Sequence, residues 1–157
     1  MDPESSLERN ESRGFARRVR KNLDFIILKR QEGEDVHEVA QLAVSLLGFI
    51  VFPWAAGDLD DLESVSLHDL EEQGWPHWDI SLDEKGDTDT LRRLTEHLRN
   101  AAAHRRLRFS SDDPQMYAVQ IEFEDAPLGK NKRVNWRATI NSADLKEFCD
   151  RFSRRLE

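Results

Sequence analysis

The sequence contains a single cysteine, Cys149, among its 157 residues. One cysteine excludes a disulfide within the chain and favours a reducing compartment. The most apolar stretch, from Leu42 to Trp54, is shorter than the roughly 20 residues that span a bilayer. Residues 1–6 lack the apolar core of a signal peptide. These absences predict a soluble cytoplasmic protein that has no membrane partner.

Positive charge is also scarce. Lysine and arginine number 23 against 31 aspartates and glutamates, which gives a formal net charge of −8. A protein of this charge is not expected to bind nucleic acid by general electrostatic attraction. The acids are concentrated in residues 58–89, whereas residues 92–108 are basic, with only Glu96 opposing. The sequence therefore predicts one positive surface for a phosphate group, on the segment 92–108.

The same segment is predicted to be a helix. Residues 90–109 contain neither glycine nor proline and are rich in leucine, arginine and alanine, so we expect a helix over about 88–108. Capping oxygens precede it in Asp87, Thr88 and Asp89, and arginines follow at its other end, as the helix dipole favours. The side chains expected to face the core are Leu91, Leu94, Leu98, Ala101 and Ala102.

A group of polar side chains lies roughly opposite that core stripe. Asn100 and His104 are four residues apart and share a helix face, and Arg99 flanks them. The neighbouring Ala101 and Ala103 are small enough to let another helix approach. The spacing resembles the signature of the HEPN superfamily (higher eukaryote and prokaryote nucleotide-binding domains), which has Arg, a polar residue that is often Asn, three further residues and His. By this resemblance Arg99, Asn100 and His104 are the candidate catalytic residues.

The resemblance also implies an activity. Active HEPN proteins are endoribonucleases that use the 2'-hydroxyl of the RNA as nucleophile and leave a 2',3'-cyclic phosphate and a 5'-hydroxyl. It thus implies an enzyme with no cofactor and no metal, working as a homodimer that pairs two motif helices across a two-fold axis. An imidazole suits proton transfer near neutral pH, and a guanidinium suits a phosphate. Relatives commonly act as toxins or antiviral effectors, which implies an antitoxin or another regulatory partner.

Other interpretations remain open at this point. A non-catalytic HEPN dimer that binds RNA or nucleotide, or only interacts with proteins, agrees better with the acidic net charge. A third interpretation is an unrelated α+β domain, in which the motif has arisen by chance on a solvated helix. His68 and His77 lie among acids, but no spacing typical of a metal site recurs there, so a solvated acidic lobe is the preferred interpretation.

The N-terminal half is predicted to be mostly helical. Residues 1–12 are polar and expected to be disordered. One helix is expected from Gly14 to about residue 30, and a second between Asp35 and Pro53. The second becomes apolar all round, which predicts burial on every side. Residues 55–86 show no sustained period and are expected to be an acidic loop region with short helical turns.

Two runs near the C-terminus alternate between apolar and polar side chains, which predicts a β-hairpin over residues 116–140. Asn141 and Ser142 are expected to cap a final helix, 142–156, whose buried side includes Cys149. The expected fold class is mainly α (α+β). Residues 13–157 would then form a single domain, an antiparallel HEPN-like helical bundle with a C-terminal β-hairpin followed by the final helix.

Overall fold

The computed structural model of the chain is a mixed α/β fold. It describes residues 3–55, 57, 59–129 and 132–156, without the side chains of residues 3–10, 52 and 55. Within these ranges the helices are α1 (Pro3–Gln31), α2 (Glu38–Ala55), α3 (Leu67–Glu72), α4 (Leu91–Ala103) and α5 (Ser142–Leu156). The strands are β1 (Asp79–Asp83), β2 (Leu107–Phe109), β3 (Gln120–Asp125) and β4 (Trp136–Asn141).

The strands form one antiparallel sheet in the order β1-β4-β3-β2. Its two central strands have one buried face, on which Ile121 lies opposite Ile140 and Phe123 lies opposite Ala138. Helices α4 and α5 pack against the sheet, while α1 and α2 pack against each other and against α5. Asp125 is in phase with the buried face of β3, so its carboxylate points towards the helices.

The core joins α5 to the sheet through aromatic rings. Phe148 is 1 % exposed and meets the rings of Trp75 and Trp78 edge-on, and Trp78 also meets Phe123. These ring contacts anchor the segment around Trp75 onto the core. Cys149 is buried in the same cluster, and burial raises the pKa of its thiol far above the ordinary value. A thiol in this setting packs as a small apolar side chain and is a poor nucleophile.

The first two helices differ from the prediction at their ends. Residues 3–12 belong to α1, whereas the sequence predicted disorder for 1–12, of which 1 and 2 lie outside the described residues. Pro3 suits the first position of a helix, and no other breaker follows until Gly14. The helix ends as expected near Gly33, whose φ of 89° allows the Glu34 N–H to reach the carbonyl of Lys29.

Helix α2 begins and ends later than predicted, at Glu38 and Ala55, with Pro53 inside its last turn. The expectation that it is buried on every side was wrong. Val44 is 62 % exposed and Val51 is 43 % exposed, and both line an apolar groove between α1 and α2. None of the described helices is long and apolar enough to cross a membrane.

The sheet is larger than the predicted hairpin. The alternating runs lie in β3 and β4, but β1 falls in the predicted acidic loop region 55–86, and β2 overlaps the end of the predicted helix 88–108. Edge strands of five and three residues carry too few alternations to be recognised from sequence, because pairing with a neighbouring strand stabilises them. The short helical turns expected within 60–72 are present as a 3-10 turn, Asp60–Ser64, and α3.

Candidate active site

Helix α4 carries the candidate residues, and local contacts define both of its ends. Thr90 is the N-cap, and its hydroxyl accepts a hydrogen bond from the Arg93 N–H at 3.3 Å. His104 is the C-cap, four residues before the predicted end. Arg105 then takes a φ of 55°, and the Arg106 N–H donates to the Ala101 carbonyl at 2.8 Å. This turn closes the helix and leads the chain into β2.

The core side of α4 is largely as predicted. Leu91, Leu94, Leu98 and Ala101 are at most 1 % exposed, whereas Ala102 is only partly buried. On the other side, Arg99, Asn100 and His104 line one groove of about 300 Å³. The loop after β3 and residues before α4 complete its walls. The monomer therefore brings the three predicted site residues together at one groove.

Arg99 is held from two directions. Its guanidinium carbon lies 4.0 Å from the centre of the Trp54 ring, and one Nη donates to Asn100 Oδ1 at 3.0 Å. Within the described ranges, no carboxylate lies at ion-pair distance from Arg99. The stacking and the hydrogen bond fix the plane of the guanidinium, and none of the described acids neutralises its charge. Such a group is prepared to bind an anion in the groove.

Asn100 links Arg99 to the sheet. Its Oδ1 accepts from Arg99, while its Nδ2 donates to Oδ2 of Asp125 at 3.0 Å. With both ends of the amide engaged in the monomer, Asn100 positions Arg99 against β3.

The sequence prediction missed His97 and Asp125. Nδ1 of His97 lies 2.8 Å from Asp125 Oδ2, and the imidazole stacks on the buried Trp136 ring with centroids 4.5 Å apart and planes 7° apart. The indole Nε1 in turn donates to the hydroxyl of Thr88 at 3.0 Å. We call the connected set Arg99, Asn100, Asp125, His97 and Trp136 the Asp125 network.

The Asp125 carboxylate is ionised at neutral pH. Burial alone raises its pKa, but hydrogen bonds from His97, Asn100 and the Ala126 N–H outweigh burial and hold the pKa below its ordinary value of 3.8. The side chain is 8 % exposed, so these donors replace most of its hydration. A permanent carboxylate therefore faces the His97 ring from the floor of the groove.

Asp125→Asn is expected to lower the stability of the protein in a pH-dependent way. Because the folded pKa is lowered, the carboxylate stabilises the fold above about pH 4, and this contribution is lost as the pH falls towards the folded value. Urea denaturation of wild type and variant should give a difference in unfolding free energy that is largest at pH 6–7 and shrinks below about pH 4. A difference that does not change with pH would contradict the electrostatic role.

His104 lies at the open end of the groove. Its backbone N–H donates to the Asn100 carbonyl at 3.1 Å, and its side chain is exposed. Ala103 beside it is exposed as well. An imidazole in this position is accessible to a ligand in the groove and to a second molecule that approaches the end of α4.

The positive surface predicted for residues 92–108 is narrower than expected. Arg92 pairs with Asp60 at 3.4 Å, and Arg93 pairs with Asp87 at 2.5 Å and with Glu96 at 2.7 Å. The acidic segment thus folds over the first half of α4 and neutralises it. Among the described residues that line the groove, Arg99 and Lys85 are the lysine or arginine side chains without an ion pair.

The two histidines of the acidic region each lie next to a glutamate. His68 lies 3.5 Å from Glu72, and His77 lies 2.8 Å from Glu71. Within the described parts of the chain, no group of three or more His, Cys, Asp or Glu side chains is arranged to hold a metal ion. These residues stay apart from the groove.

A mixed α/β chain that carries Arg, Asn and His at this spacing along one helix has the features of the HEPN class. The whole chain, residues 1–157, matches the family described as HEPN pEK499 p136, and the protein therefore belongs to that family. No match is found among curated proteins or among solved structures.

Proposed function

We propose that the protein is a metal-independent endoribonuclease of HEPN type. It cleaves RNA by attack of the 2'-hydroxyl on the neighbouring phosphate and leaves a 2',3'-cyclic phosphate and a 5'-hydroxyl. The observation that carries this proposal is Arg99, an ordered guanidinium without an acidic partner among the described residues, in the same groove as His104. Family membership and the complete motif support it as well.

Each residue has a role that its contacts suit. Arg99 binds the scissile phosphate and stabilises the negative charge that grows on its oxygens in the transition state. Asn100 keeps the Arg99 guanidinium in place through the hydrogen bond at 3.0 Å. His104 transfers a proton, since an exposed imidazole at the mouth of the groove can reach a bound ribose-phosphate link.

The enzyme is proposed to work as a homodimer with RNA as its substrate. The exposed Ala103 and His104 at the end of α4 leave room for the α4 helix of a second copy, which would bring two motifs to one cleft. A toxin or phage-defence role, restrained by an antitoxin or another regulatory partner, completes the proposal by analogy with the superfamily.

A second candidate function is a non-catalytic dimer that binds RNA or nucleotide. The net charge of −8 and the ion pairs that neutralise Arg92 and Arg93 favour it, because little positive surface remains to attract long RNA. The two functions differ in one observable property, which is whether the phosphodiester bond is broken.

The deciding experiment incubates the purified protein and its His104→Ala variant with a single-stranded RNA in the presence of EDTA. Wild type should cut the RNA and leave cyclic phosphate ends, while His104→Ala should be at least about 100-fold slower. A DNA of the same sequence should stay intact because it lacks the 2'-hydroxyl. Bound but uncut RNA would establish the binding function instead, and equal cleavage by the variant would remove His104 from the mechanism.

A further inference from the structure

The groove contains a second imidazole to which the proposed function gives no role. His97, Asn100 and His104 are three and four residues apart in sequence, so they follow one face of α4 over two turns. All three side chains line the same groove. His97 is the inner member of this row, with a side chain only 13 % exposed, and His104 is the outer member.

The neighbours of His97 determine how its ring is oriented and which ring nitrogen is left without a hydrogen bond. Nδ1 lies 2.8 Å from the Asp125 carboxylate, which is ionised and can only accept, so Nδ1 carries the proton of that hydrogen bond. Stacking on the Trp136 ring at 4.5 Å keeps the imidazole from rotating. Among the described residues no hydrogen bond engages Nε2, so this nitrogen is the ring atom left to exchange a proton with a ligand.

Given the proposed cleavage of RNA, on which this inference rests, we infer that His97 is the general base and His104 the general acid of the reaction, with Asp125 as the positioning residue of His97. A single protomer then holds both proton-transfer groups as well as the phosphate-binding Arg99.

The proposed step balances without a further reactant. Nε2 of His97 takes the proton of the 2'-hydroxyl as the 2'-oxygen forms a bond to phosphorus. The bond between phosphorus and the 5'-oxygen breaks, and that oxygen takes a proton from the protonated His104. Water afterwards returns the two imidazoles to their starting protonation states.

The two histidines lie at different heights along the helix but line the same groove. A rise of 1.5 Å per residue separates their Cα atoms by about 10 Å along the helix axis. Arg99 and Asn100 lie between the histidines along the helix, where the phosphate would bind.

Charged groups of both signs face the two imidazoles from the walls of the groove. The loop before α4 contributes Lys85 and Asp87, the helix contributes Arg93, Glu96 and Arg99, and the sheet contributes Asp125. Arg93 is paired with Asp87 and Glu96, so Asp125 is the carboxylate in direct contact with His97. The pH dependence of cleavage therefore tests proton transfer by His97 with Asp125 as its known carboxylate partner.

The test compares His97→Asn, Asp125→Asn and His97→Ala with wild type, using single-stranded RNA with EDTA across pH 5–9. The amide of His97→Asn retains a hydrogen-bond donor for Asp125, which protects the fold. We expect His97→Asn to lower kcat by about 10²–10⁴-fold with KM changed only a few-fold, and to remove the acidic limb of the pH–rate profile. Asp125→Asn should lower kcat less and leave KM nearly unchanged.

Chemical rescue separates catalysis from folding. Added imidazole should restore part of the cleavage by His97→Ala, whereas a merely structural defect would not respond to it. The matched control is His68→Ala, since His68 is exposed and pairs with Glu72 away from the groove, and it should cut at the wild-type rate.

Two results would overturn the inference while leaving RNA cleavage intact. One is a His97→Asn variant that cuts as fast as wild type with the same pH profile. The other is a slow His97→Ala variant that imidazole does not restore. If wild type itself cuts no RNA at any pH, the proposed function fails, and the role of His97 fails with it.

Discussion

Replacing Arg99 with alanine is expected to lower kcat/KM for RNA by about 10³-fold. The change removes the positive charge that is proposed to bind the phosphate, and Arg92 and Arg93 are already paired with acids. It leaves both imidazoles of the groove in place. Cleavage of a short fluorescent RNA, measured below KM, gives the ratio directly.

Arg99→Lys tests whether charge alone is enough. Lysine keeps the positive charge but lacks the planar fork that stacks on Trp54 and donates to Asn100. We expect Arg99→Lys to recover only a small part of the lost rate. Full recovery would indicate that the guanidinium geometry is unimportant.

The chain offers a matched control for this prediction. Arg92 lies on the same Trp54 ring, with its guanidinium carbon 3.8 Å from the ring centre, but it is paired with Asp60. Arg92→Ala thus removes the same group from the same ring without removing an unneutralised charge. It should change kcat/KM only a few-fold, and a loss as large as that of Arg99→Ala would contradict the assignment of phosphate binding to Arg99.

The sequence was sufficient to predict the elements that carry a long hydrophobic period. The buried side of α5 and the alternating runs of β3 and β4 extend over enough residues for the period to be clear. The end of α4 was not predictable in the same way. No glycine marks it, and the chain leaves the helix at Arg105 because the next residues pair with β3.

Only part of the candidate site could be predicted from the sequence, for a related reason. The spacing of Arg99, Asn100 and His104 is local and was visible in the sequence. Asp125 also left a signal that was missed, because it follows Ile121 and Phe123 in the buried phase of a strand, where an acid needs partners. The contact between Trp54 and Arg99 left no local signal, since it joins the end of α2 to α4 through the tertiary fold.

The structural prediction with the largest effect concerns the junction of α5 and the sheet. Phe148→Ala should lower the free energy of unfolding by about 3–5 kcal/mol, because it empties a site that the Trp75, Trp78 and Phe152 rings surround at 5.2–5.8 Å between centroids. A loss of this size is a large share of the 5–15 kcal/mol typical of a domain. Urea denaturation followed by tryptophan fluorescence measures it.

Phe25→Ala separates this packing effect from the loss of a phenyl ring as such. Phe25 also lies within a helix, α1, but it is 55 % exposed, and the Lys29 ammonium lies 5.6 Å from the centre of its ring. The two substitutions change helix propensity equally, so the difference between them reports burial. Phe25→Ala should cost no more than about 1 kcal/mol. Equal losses at both positions would mean that α5 does not hold the sheet through Phe148, and the groove beside β3 would then owe its shape to other contacts.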